Sequence, residues 1–164
     1  MRDDACMQKP EPTKEHQWLR RLVGEWTFVA EGVGPQEGPS RFEGVERARM
    51  LGDVWLLIEG EGDVPGGGRA TNLMTLGYDP QKQRFVGTFI GSMMTSLWDY
   101  EGSLDTDGRK LTLDTEGPSM TGEGTTRYRD AIELVSDDER VMTSEVEGPD
   151  GSWTRFMTMT SRRR

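Results

Sequence analysis

The chain has 164 residues, the size of one ordinary domain, and carries 20 basic against 29 acidic side chains. Hydrophobic residues other than glycine make up only 33%, but the 21 glycines restore a globular apolar share, which excludes a disordered acidic tail. The net charge of −9 is spread evenly, disfavouring nucleic acid and anionic membrane as partners, and no apolar run approaches the ~20 residues of a membrane helix.

Cys6 is the one cysteine and cannot form an internal disulfide, which removes the usual reason to suspect secretion. The opening MRDDACMQKPEPT has acids where a signal peptide has a basic and then an apolar stretch, so a cytoplasmic location is expected. Residues 1–12, polar with two prolines, read as a flexible arm, and 13–164 as a single domain. Thr13 is suited to cap a short helix running through about Val23, with Trp18, Leu19, Leu22 and Val23 near one face.

After Gly24 the chain reads with period two. Trp26, Phe28 and Ala30 alternate with Glu25, Thr27 and Val29, and further strand-like runs span 41–51, 53–61, 70–78, 84–92, 96–104, 109–116, 125–135, 139–147 and 152–161. Gly34-Pro35, Gly38-Pro39, Pro65-Gly66-Gly67-Gly68, Asp79-Pro80, Asp107-Gly108, Gly117-Pro118 and Pro149-Asp150-Gly151 punctuate them, with Asp107-Gly108 reading as a tight primed hairpin turn. About ten antiparallel strands on short hairpins twist and expose edges unless they close, so an up-and-down β-barrel with a short N-terminal helix is expected, ahead of a two-sheet sandwich. Gly87, Gly91 and Gly102 fall inside strands, where a sharp bend or close approach would explain them.

Gly24-Glu25-Trp26, after a helix and opening the first strand, resembles the G-x-W motif of lipocalins and related calycin barrels. That resemblance implies a structural role for Trp26 as the plug of the closed end, with Arg155 of the last strand as its arginine partner. His16-Gln-Trp18-Leu19, Gly77-Tyr78-Asp79-Pro80, Phe85-Val86-Gly87-Thr88, Gly91-Ser92-Met93-Met94, Leu97-Trp98, Tyr100-Glu101-Gly102 and Leu111-Thr112-Leu113 extend the likeness. From about Lys14 to Thr160 the chain resembles the bacterial family designated domain of unknown function 1579, which implies a lipocalin-like barrel and brings no settled substrate or catalytic residue. The nitrobindins, a related calycin group, bind haem through a histidine late in the sequence. The lone histidine here is His16, near the other end, so haem is not carried over and no cofactor is expected.

Chemistry-bearing motifs are sparse. His16 reads as an exposed polar residue of the helix rather than a base or a metal ligand with Cys6, because a metal needs three or four convergent ligands. No G-x-S-x-G elbow precedes a helix. The glycine-dense 60–68 stretch lacks the Gly-Lys-Ser/Thr ending of a phosphate loop and reads as a lid-like hairpin loop. Asp105-Thr-Asp107-Gly108 stops short of a calcium loop.

The aromatic and methionine pattern carries the functional expectation. Trp98 and Tyr100 share a strand face; Tyr78 follows Met74 and Leu76; Met157 and Met159 are read on one face with Trp153 and Arg155. A ten-stranded barrel has an interior that side chains need not fill, and methionine suits an adaptable pocket. The expected function is non-catalytic binding of a small apolar ligand, lined by Tyr78, Met94, Trp98, Tyr100, Met142 and Met157, with Thr88 and Ser92 as polar contacts. The 60–69 loop and the Gly91–Ser96 stretch would gate the mouth. Two alternatives stand beside it. One is an isomerase- or cyclase-like enzyme, which needs Arg127, Arg129 or Glu101 to point inward. The other is an oligomerising interaction module with a filled barrel, acting as a homo-oligomer.

Overall fold

A computed structural model describes residues 8–34, 38–64 and 66–164. Among these residues a helix, α1 (Lys14–Arg20), precedes ten strands: β1 (Gly24–Gly34), β2 (Gly38–Leu51), β3 (Trp55–Asp63), β4 (Arg69–Asp79), β5 (Arg84–Gly91), β6 (Trp98–Leu104), β7 (Lys110–Pro118), β8 (Thr125–Leu134), β9 (Glu139–Glu147) and β10 (Trp153–Arg163). Each strand pairs antiparallel with the next, and β10 returns to pair with β1 from Trp26↔Arg163 to Gly32↔Met157. The barrel is closed, as its alternating strands and short turns lead one to expect.

Period two decides what lies inside. Trp26, Phe28 and Ala30 of β1, Leu56 and Ile58 of β3, Met74 and Leu76 of β4, and Leu111 and Leu113 of β7 are all buried. The intervening positions form a charged outer wall, where Arg41 meets Glu43 at 3.2 Å and Arg69 meets Glu61 at 3.0 Å. Exposed pairs of this kind add little stability, but they make the wall one that faces water. Gly87 and Gly102 face inward where the sheet bends, and a Cβ on either would collide with the carbonyl of Thr75 or Thr112 on a neighbouring strand. Gly91 stands in ordinary space, so its glycine is not explained the same way.

The helix is shorter than its apolar spacing predicts. After Arg20 the chain tightens into i→i−3 bonds, Arg21 N–H to Trp18 O, Leu22 N–H to Leu19 O and Val23 N–H to Arg20 O, at 3.0–3.1 Å. This turn drops Leu19 and Leu22 into the barrel's end, where both are fully buried beside Trp26. Trp18 fastens the far rim, its indole N–H donating to Gly108 O at 2.7 Å. His16 is buried rather than exposed: Nδ1 accepts from the Thr13 amide at 2.9 Å and Nε2 donates to Tyr78 O at 3.1 Å. The imidazole is thus a structural rivet between helix and barrel, and Cys6 lies outside the described residues.

Several turns differ from the sequence reading. Gly38-Pro39 opens β2 instead of breaking it, with Pro39 paired to Val33; Pro35 and Pro65 lie outside the described residues. Gly60 to Asp63 belong to β3 and pair with β4, and Arg69 already opens β4, so the connection expected over 60–69 is shorter than its sequence suggests. The β6–β7 connection is a longer loop with only Gly108 at positive φ (68°), and Asp105 holds it by accepting from the amides of Arg109 and Lys110 at 2.8 and 3.1 Å. A tight primed turn would have required Asp107 in the left-handed region as well.

β10 contains the most consequential irregularity. The register with β9 shifts between Arg155 and Met157, leaving Phe156 as an inserted residue. A bulge reverses the alternation. Met157 and Met159 therefore point inward, opposite to Trp153 and Arg155, and the single face read for all four is corrected.

Candidate functional site

The α1 end of the barrel is packed solid by Trp18, Leu19, Leu22, Leu56, Leu76, Phe85, Leu111 and Leu113. Towards the opposite end the packing opens into a cavity of about 190 Å³ lined by Phe28, Phe42 and Phe89 together with Met142, Met157 and Met159. Met74, Ile58 and Ile132 complete its apolar wall. A larger groove of about 510 Å³ runs over the outer face of β2–β5 between Arg47, Glu59, Glu61 and Thr71, but it is open to solvent and charged. The interior space is the better enclosed and the more apolar of the two.

Three polar side chains also line the cavity: Glu46, Asn72 and Arg140. Arg140 Nη2 donates to Glu46 Oε2 in a pair whose side chains are only 5% and 8% exposed. Burial pushes the Glu46 carboxyl above its ordinary range and the Arg140 guanidinium below its own, while their mutual attraction opposes both shifts. Arginine does not surrender its proton in a protein, so the ionic pair is the state that leaves neither charge alone. Arg140 also stands 4.6 Å from the centroid of Trp26, which anchors the pair to the plugged end.

A second polar group sits on β8 and β9. Asp130 accepts from Tyr100 Oη at 2.5 Å and from Ser144 Oγ at 2.6 Å. Burial raises the Asp130 carboxyl above its ordinary value, with these two hydrogen bonds working against the rise. Burial and the adjacent Asp130 raise the Tyr100 hydroxyl too, keeping it a donor.

The eight residues expected to contact a ligand divide accordingly. Met142 and Met157 line the cavity. Tyr100 is buried inside but is committed to Asp130. Tyr78 belongs to the closed end, edge-on to Phe85 at 5.1 Å. Trp98 stands at the mouth, edge-on to Tyr128 at 5.1 Å, with its N–H directed to Met94 Sδ at 3.1 Å; Met94 itself is exposed. Thr88 is on the outer wall, sharing a 2.8 Å hydrogen bond with Thr75, and Ser92 accepts from the Thr71 amide at 2.9 Å outside the barrel. Both have the parity opposite to inward Phe85, Gly87 and Phe89, so their assignment as ligand contacts is corrected.

The plug needs one correction as well. Trp26 is fully buried and donates to Leu22 O at 3.0 Å, but Arg155 is exposed and far along β10. The last-strand arginine over Trp26 is Arg163, 4.3 Å from the ring centroid and bonded to Val23 O at 2.6 Å, with Arg140 of β9 also over the ring. The enzyme alternative also loses its named residues: Glu101 and Arg127 are exposed, and Arg129 lies on the outer face, 4.2 Å over Trp153 and 2.9 Å from Asp114.

Glu46, Asn72 and Arg140 were not singled out from sequence, yet alternation marks them. Phe42-x-Gly44-x-Glu46-x-Ala48 and Ala70-x-Asn72-x-Met74-x-Leu76 each put the polar residue on the apolar face.

The chain belongs to a family of proteins of unknown function, DUF1579, which matches residues 11–163. A comparison with curated proteins finds no match. Among solved structures the chain is similar to Rv2717c from M. tuberculosis, at 14% identity and a TM-score of 0.65, covering 94% of this chain and 99% of that one. It is similar also to the S-type phycobiliprotein lyase CPES from Guillardia theta, at 14% identity and a TM-score of 0.58, over 94% and 98% of the two chains. A third, EF1p2_mFAP2b bound to DFHBI, matches at 12% identity and a TM-score of 0.50, over 91% and 98%. At such identities the likeness is one of fold.

Proposed function

We propose that this member of the DUF1579 family is a non-catalytic carrier or sensor that holds one small, largely apolar molecule inside its barrel. The observation that carries the reading is the cavity of about 190 Å³ walled by phenylalanine and methionine. A barrel packed only for stability would close this space, because empty volume costs contacts on every side. Methionines adapt their shape to a guest, and three of them stand side by side here on β9 and β10. The barrel neighbour bound to DFHBI, and the neighbour named as a phycobiliprotein lyase, support the reading as barrels of the same architecture.

Size narrows the guest. An apolar cavity of roughly 150 Å³ accepts benzene, whereas drug-sized ligands occupy roughly 300–1,000 Å³. The molecule is therefore one ring or a short branched chain, not a tetrapyrrole or a long fatty acid. Eight or so non-hydrogen atoms at about 0.5–0.85 kcal/mol each, inside the roughly 0.3–1.5 kcal/mol span of small ligands, correspond to a Kd of about 10 μM to 1 mM.

Titration of the methionine-methyl-labelled protein with ethylbenzene tests the proposal by NMR. Saturable shifts at Met142, Met157 and Met159, with exposed Met93 unmoved, are expected. Shifts at surface methionines alone would contradict it.

A further inference from the structure

We propose that the molecule held in the cavity is neutral and carries at one end a group that both donates and accepts hydrogen bonds, as a carboxamide does. This rests on the cavity being a ligand site and adds the chemistry of its polar end.

Register brings the polar groups together. Glu46 of β2 pairs with Gly60 of β3, and Gly60 pairs with Asn72 of β4, so the three occupy adjacent inward positions. The middle position has no side chain, and the Asn72 carboxamide fills its place: a Cβ on Gly60 would lie 2.6 Å from Asn72 Oδ1. Asn72 thus leans across the glycine towards Glu46. Both line the same cavity, with Arg140 beside Glu46.

The hydrogen-bonding capacity of this row is not used up. Among the described residues the half-buried Asn72 carboxamide has no protein hydrogen-bond partner, although it carries two donors and an acceptor. Glu46 commits Oε2 to Arg140 and retains acceptor capacity at its other oxygen. A guest that fills the apolar part of the cavity brings its polar end against an amide that offers and accepts, next to a carboxylate that accepts. A group with one N–H and one C=O answers both. A hydrocarbon that covers them leaves them unanswered, and a polar group covered without a partner is costly.

Charge selects further. Glu46 and Arg140 neutralise each other, so the cavity has no net charge with which to compensate an ion stripped of water. A carboxylate guest meets the Glu46 carboxylate, and an ammonium guest meets the Arg140 guanidinium. Each would have to break the existing pair to gain a partner, leaving the displaced charge buried alone. The site therefore rejects either sign while accepting a neutral molecule of the same shape.

Four ring-sized probes distinguish the outcomes on the full chain, read at the Met142, Met157 and Met159 methyls: benzamide, benzoate, benzylammonium and ethylbenzene. Benzamide is expected to bind at least about tenfold more tightly than benzoate or benzylammonium at neutral pH. Asn72→Leu is expected to weaken benzamide about five- to tenfold, the loss of one hydrogen-bonded contact, while ethylbenzene stays within about twofold or binds more tightly. Asn72→Ala repeats the comparison without bulk over Gly60, in case Asn72→Leu fails to fold. Ethylbenzene binding with benzoate or benzylammonium equal to benzamide, or benzamide binding untouched by both Asn72 variants, overturns this inference and leaves the carrier reading standing. If none of the four moves the interior methyls, the carrier reading fails and this inference with it.

Discussion

Arg163 stands over Trp26, its guanidinium carbon 4.3 Å from the indole centroid, and so ties the last strand to the first at the plugged end of the barrel. The same guanidinium donates to Val23 O, Arg21 O and Asp137 O at 2.6, 3.1 and 3.0 Å. One side chain thereby satisfies carbonyls of the helix-to-β1 turn and of the β8–β9 loop. Trp26→Ala should cost about 3–5 kcal/mol, as expected for a large buried aromatic. Arg163→Ala should cost about 2–3 kcal/mol through lost stacking and charge-assisted hydrogen bonds. Arg155→Ala, on the exposed part of β10, should fall within about 0.5 kcal/mol of the parent. Urea denaturation of the three variants checks the order, and an Arg155→Ala loss as large as that of Arg163→Ala would contradict it.

The buried Glu46–Arg140 pair should behave asymmetrically. Glu46→Ala leaves the Arg140 guanidinium inside the barrel without its partner, a change expected to cost about 3–5 kcal/mol. Replacing both, Glu46→Met with Arg140→Leu, removes two desolvation penalties along with one attraction. The double variant should therefore lie within about 1–2 kcal/mol of the parent, on either side of it. A double-mutant cycle by chemical denaturation measures the coupling; a double variant as unstable as the sum of the singles would show that the pair is not coupled.

Asp130 gives a pH signature. Burial sets its folded-state pKa above the ordinary aspartate value of 3.8, so the native protein holds this proton more tightly than the unfolded chain. Its stabilising contribution is full below that ordinary value and is lost as pH rises through the higher folded pKa. Asp130→Asn removes the titration and keeps the shape. Relative to the parent, the variant should gain stability steadily as pH rises from acid towards neutral. Unfolding free energies of both proteins across that range decide the matter, and a relative loss with rising pH would reverse the assignment.

The barrel was legible because its cause is local. Strict alternation such as Tyr128-x-Asp130-x-Ile132-x-Leu134, with a turn every few residues, leaves few ways to hide edges and apolar faces. The site was less legible because its face depends on register. Nothing in Trp153-Thr-Arg155-Phe156-Met157 announces that Phe156 is an inserted residue, yet that insertion separates Met157 from Arg155. That Arg163 rather than Arg155 meets Trp26 follows from the register of β1 with β10, which pairs Trp26 with Arg163. Glu46 and Asn72 were passed over because a polar residue in a half-buried strand is ordinarily assigned to water. Their inward parity was written in the alternation, but their meeting needed the pairing of three strands through Gly60.

Crystals of the protein pressurised with xenon would test the interior cavity most directly, since xenon settles in apolar space of this size. The account predicts a xenon peak inside the barrel, among Met74, Met142, Met157 and Phe89. A barrel interior without xenon, with peaks confined to the outer groove beside Leu73 and Ile90, would contradict it.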